Sequence, residues 1–100
     1  MIRVYISGPM KGKIDLNRPA FDKAERLLAE LGYEPVNPHK LSPARRAGES
    51  EDAYYERCLE IDLAALLGCD MIYFLGGWMQ SKGAVREFGR AMELGLKVLT

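Results

Sequence analysis

Two cysteines, one histidine and one tryptophan in 100 residues leave little material for metal or redox chemistry. Cys58 and Cys69 have no CxxC spacing and only His39 for company, which argues against a zinc site. Both thiols read as small apolar groups in a reducing cytoplasm. Net charge is also missing, with 14 basic against 14 acidic side chains. A general nucleic-acid or membrane-surface binder needs a basic excess, so neither partner is expected. No apolar run approaches the length of a bilayer span, and residues 1–20 carry no signal-peptide core. The expected location is the cytoplasm. Repeats, low-complexity segments, and the full GxGxxG and Walker patterns are absent too. No metal and no cofactor are therefore expected.

What remains is one domain, residues 1–100, with 48% hydrophobic residues to fill a core. A chain this short is only marginally self-sufficient, which leaves room for a homo-oligomer. Its organising stretch is Cys69 to Gly95. Met71-Ile72-Tyr73-Phe74-Leu75 is a short apolar run of the kind that forms a buried parallel strand. Gly76, Gly77 and Trp78 make a turn, and Ser81-Lys82-Gly83 opens a helix that runs to about Glu93. Such a helix aims its free N–H groups at the crevice where open α/β sheets bind ligands. Glu87 lies one turn inside, at the edge of the stripe Ala84, Val85, Phe88, Ala91 and Met92. Composition alone allows a crevice-facing acid or a surface glutamate paired with Arg86 or Arg90.

The rest of the chain supplies the walls. Residues 1–7 form a first strand, and Gly8-Pro9 with Lys11 and Gly12 makes a cation-bearing loop, either a phosphate cradle or an ordinary turn. Asp15 or Asn17 caps a helix in which Phe21, Ala24, Leu27, Leu28 and Leu31 recur at helical spacing. Gly32 ends it, and Tyr33–Val36 is a strand that Pro35 assigns to an edge. Residues 37–52 read as a loop, with His39, Lys40, Arg45 and Arg46 on a solvated segment or on a lid. A helix from about Ala53 to Leu67 puts Asp62 in the middle of its apolar face. A buried acid must be paired, hydrogen-bonded or functional. Residues 97–100 make a last strand. The alternation predicts an α/β, three-layer, flavodoxin/Rossmann-like fold with a parallel four-stranded sheet, order 2-1-3-4, and helices on both faces. Strands 1 and 3 then feed one crevice, which gathers Tyr5, Ser7, the Gly8–Gly12 loop, Asp62, Ser81 and Glu87.

Tyr5-x-Ser7-Gly8, Asp62 ahead of the third strand, and Ser81-x-Gly83-x-x-x-Glu87-x-Gly89-x-Ala91 together resemble the nucleoside 2-deoxyribosyltransferase-like superfamily. This resemblance implies that Glu87 is a nucleophile toward C1′ of a nucleoside or nucleotide, a small-molecule partner. It further implies that Asp62 manages the leaving base's proton and that Tyr5 orients Glu87. Ser7, Gly8, Lys11, Ser81 and Gly83 become substrate-binding residues, several of them toward a 5′-phosphate. Trp78 is either a stacking wall for the base or a packed turn residue. Ser81 stands where the transferases proper carry an aspartate, as in the monophosphate N-glycosidases, and so favours hydrolysis over transfer. The expected activity is cleavage or exchange of an N-glycosidic bond; the runner-up is a non-catalytic nucleotide-binding or sensing module.

Overall fold

Alternation within the strands decides which side chains meet which helix. In the computed structural model, which describes residues 1–100, β1 (Arg3–Ser7) sits between β2 (Glu34–Val36) and β3 (Met71–Phe74), and β4 (Lys97–Leu99) lies outside β3. All pairings are parallel, and the order is 2-1-3-4. Val4 and Ile6 point to one face, where Phe21, Ala24 and Leu28 of α1 (Arg18–Glu30) close over them. Tyr5 and Ser7 point to the other, as period-two geometry requires. There Tyr5 packs with Ile72 of β3, Leu66 of α2 (Glu51–Leu66) and Ala91 of α3 (Lys82–Leu94). The result is the expected α/β sandwich of three layers.

Local chemistry sets most boundaries. Ser50 caps α2 by accepting from the Ala53 amide at 3.1 Å, which starts that helix two residues before Ala53. Gly32 (φ +92°) and Gly95 (φ +75°) take the left-handed conformation that ends α1 and α3. The expected side-chain cap of α1 does not form. Asp15, Leu16 and Asn17 all adopt positive φ, and the Asn17 amide donates to the Pro9 carbonyl at 2.9 Å instead. This ties the loop after β1 to the start of α1.

Two amphipathic readings need correction. Leu27 of α1 and Leu31 at its C-terminal cap are exposed, because α1 covers β1 and β2 and no second helix stands beside it. On α3 the buried residues are Ala84, Glu87 and Ala91, while Val85 and Met92 are exposed. Glu87 therefore lies on the buried line of the helix rather than at its edge. No helix is long and apolar enough to cross a membrane.

Candidate active site

Tyr5 and Ser7, two residues apart on β1, reach the same target. The Tyr5 hydroxyl donates to Glu87 Oε2 at 2.7 Å, and the Ser7 hydroxyl donates to Oε1 at 2.6 Å. Both donors are fully buried. One carboxyl group is thus fixed at both oxygens by a strand that cannot move without breaking the sheet. The surface reading of Glu87 falls away, since Arg86 pairs with Glu56 and Arg90 with Glu93.

Glu87 and Asp62 both line a cleft of about 700 Å³. Its walls are the loops after β1 and β3 together with facing sides of α2 and α3. Asp62 is 9% exposed, and its Oδ1 has no hydrogen-bond partner. Burial first, and the nearby Glu87 charge second, push the Asp62 carboxyl up to about 8. Burial also raises Glu87, against the two hydroxyl donors that favour its charge, to about 7. Desolvation thus outweighs the two hydroxyl donors at Glu87. Both carboxyls are raised, Asp62 the further, and only Glu87 has donors that favour its charge. Tyr5 is driven well above its ordinary range by burial and by Glu87, so it stays a donor.

The other expected site residues divide into three groups. Gly8, Lys11, Ser81 and Gly83 line the cleft. Ser81 caps α3 by accepting from the Ala84 amide at 3.2 Å, which leaves the Gly83 amide without an intrahelical acceptor. A Cβ on Gly8 would lie 2.7 Å from Leu75 Cβ, so the close approach of the loops after β1 and β3 already requires glycine there. Ser7 stands behind Glu87 and does not line the cleft. Trp78 lies outside the lining as well; it stacks on Phe74 with centroids 4.3 Å apart and lies 5.2 Å from Phe88. Its ring is thus packed against β3 and α3.

The loop before α2 is tied to that helix. Tyr54 donates to the Pro43 carbonyl at 2.6 Å, and Arg57 holds the Ala44 carbonyl and both oxygens of Glu49 at 2.8–2.9 Å. Arg45 and His39 line the cleft, whereas Lys40 is taken by Glu25. Sequence reasoning did not single out Tyr55 as a site residue. The Tyr55 hydroxyl lies 2.8 Å from where a Gly83 Cβ would sit, and Lys11 Nζ stands 5.5 Å above its ring. Two adjacent tyrosines at the start of a helix, each with a polar tip, were the available signal.

Residues 2–100 match the model of a family described as a domain of unknown function, DUF4406. The chain belongs to the DUF4406 family. No curated protein matches it. Among solved structures, this DUF4406 chain is similar to a 2-deoxyribosyltransferase from Bacillus psychrosaccharolyticus (TM-score 0.73, 22% identity, 96% of this chain and 69% of that one). It is also similar to the CMP N-glycosidase BcmB of Clostridium botulinum (TM-score 0.59, 24% identity, 96% and 65%). A third is a 2-deoxyribosyltransferase from Leishmania mexicana (TM-score 0.63, 18% identity, 100% and 63%). The DUF4406 chain has their fold, and it spans just under two thirds of the length of the last two.

Proposed function

We propose that this DUF4406 protein cleaves the N-glycosidic bond of a 2′-deoxynucleoside or its 5′-monophosphate, with Glu87 as nucleophile. One observation carries the reading. Two buried carboxyl groups from different helices face one cleft, and one of them is gripped at both oxygens by strand hydroxyls. The likeness in fold to transferases and an N-glycosidase on nucleosides and nucleotides points the same way.

The Glu87 carboxylate attacks C1′ as the C1′–N bond breaks, and the bonding pair leaves with the base. Asp62, protonated through its raised pKa, gives that nitrogen its proton. Tyr5 and Ser7 hold the attacking carboxylate in one orientation, so little alignment remains to be made at the reacting carbon. Water then attacks C1′ of the glycosyl ester. The Asp62 carboxylate takes a proton from that water, and Glu87 leaves as a carboxylate. The sum is base plus free sugar or sugar phosphate, with both acids restored. Ser81 adds no second acid beside Glu87, in keeping with hydrolysis. Lys11, Ser81 and the Gly83 amide take the 5′-phosphate at the start of α3.

The test is a screen for free base across deoxynucleosides, ribonucleosides and their monophosphates, run beside Glu87→Ala. The reading expects release by the wild type from at least one deoxy substrate and loss in the variant. No release from any substrate, with thermal stabilisation by a nucleotide, would instead favour a binding or sensing module.

A further inference from the structure

The three non-glycine residues with positive φ are consecutive and lie in the loop between β1 and α1. Asp15 (φ 50°, ψ 36°), Leu16 (51°, 32°) and Asn17 (61°, 21°) form a left-handed turn. Asp and Asn tolerate this region because their short polar side chains bond locally; for Leu it is an outlier with a real cost. Core packing does not offset that cost. None of residues 14–17 is buried, and Ile14 is 95% exposed.

Polar anchors hold the turn instead. The Asn17 side-chain amide donates to the Pro9 carbonyl at 2.9 Å, and the Leu16 amide donates to the Lys13 carbonyl at 3.1 Å. His39 Nε2 donates to the Leu16 carbonyl at 3.0 Å, and its ring sits edge-on to the fully buried Phe21, with centroids 4.8 Å apart. What the turn achieves is the placement of one side chain. Leu16 lines the cleft that holds Glu87 and Asp62 while staying 50% exposed; Asn17 does not line it. Backbone kept in a disfavoured region by its surroundings is a mark of ligand-binding segments. A half-exposed leucine on a cleft wall gains when an apolar surface covers it.

We propose that Asn17 is a positioning residue for substrate binding: through the left-handed turn it holds Leu16 at the cleft wall, where an apolar face of the substrate completes the burial of that side chain. This rests on the glycosidase reading and adds to it, since the flat faces of a base are the apolar surface that a nucleoside or nucleotide offers.

The test measures KM and kcat for base release in wild type, Leu16→Gly, Asn17→Ala and the double variant, with a melting curve for each. Glycine takes positive φ freely, so Leu16→Gly removes the side chain and keeps the turn. Each single variant is expected to raise KM about five- to tenfold, the effect of uncovering half a leucine, with kcat within about twofold of wild type. The double variant is expected to match Leu16→Gly alone, because Asn17 acts through a side chain that is already gone. Additive losses in KM would make Asn17 a structural residue only, and a wild-type KM in Leu16→Gly would show that no substrate covers Leu16. Either result overturns the inference and leaves the glycosidase reading intact. Should Asn17→Ala melt too low to assay, Asn17→Gly removes the same bond without opposing the turn, and the same comparison decides. Release of base from no substrate by the wild type would overturn both.

Discussion

At the scale of single residues, the site is a conflict between desolvation and hydrogen bonding around two carboxyls. Burial raises both acids, and only Glu87 has donors to offset it. Groups whose pKa is higher folded than unfolded bind more protons in the native state, so stability falls as pH rises through that window. Thermal melts should therefore show declining stability from about 3.8 toward about 8, the span between the ordinary Asp value and the raised one at Asp62, with the Glu87 window inside it. Asp62→Asn and Glu87→Gln should each raise the melting temperature at pH 8 relative to wild type, while removing activity. If either variant melts below wild type at pH 8, the buried-acid account is wrong. The same groups set the rate profile: activity should climb through about 7 and decline past about 8. Ser7→Ala removes a contact that lowers the Glu87 pKa, so its acid limb should move to higher pH. Loss of this charge-assisted contact should reduce kcat/KM by about ten- to a hundredfold. An unmoved limb in Ser7→Ala would show that Ser7 does not act on Glu87.

At the scale of elements, β1 and the start of α3 do most of the positioning. Gly83 leaves space that the Tyr55 hydroxyl fills at 2.8 Å, so Gly83→Ala must displace that tyrosine. The expected result is a raised KM for phosphorylated substrates with a melting temperature close to wild type; a collapse in stability with KM unchanged would make Tyr55 a packing residue only. By contrast Gly8→Ala meets Leu75 Cβ at 2.7 Å, and overpacking between two strand ends should destabilise by about 1–3 kcal/mol. A chemical melt would expose a neutral outcome there. These elements were legible in the sequence because their signals are local. Gly32 and Gly95 mark helix ends, Pro35 marks an edge strand, and Met71–Phe74 is a run bounded by turn residues. The depth of Glu87 was not legible. Helical spacing places it beside Ala84 and Ala91, but only the strand opposite, with hydroxyls at Tyr5 and Ser7, makes a buried acid affordable there. Likewise the Tyr55 hydroxyl beside Gly83, and the packing of Trp78 on Phe74 and Phe88, depend on neighbours that spacing does not name.

At the scale of the whole molecule, topology explains both the site and the exposed apolar groove. Order 2-1-3-4 brings the ends of β1 and β3 together, and the cleft forms between the loops that leave them. The same order sends α2 and α3 to one face and α1 alone to the other. Leu27, Leu31, Tyr33, Tyr73 and Leu99 consequently line a second hollow of about 290 Å³ with no helix over it. The order itself was readable, because right-handed crossovers and alternating strands and helices admit few arrangements. What sequence could not give was charge geometry: equal numbers of acids and bases say nothing of where the unpaired ones collect.

The account stands on Glu87 forming a bond to the sugar. Intact-mass analysis, followed by peptide mapping, of protein quenched during turnover of a cleaved deoxynucleotide tests this directly. The predicted result is a deoxyribosyl or deoxyribosyl-phosphate adduct on the peptide that contains Glu87, absent from Glu87→Ala. Base release at the wild-type rate by Glu87→Ala, with no adduct on either protein, would contradict it.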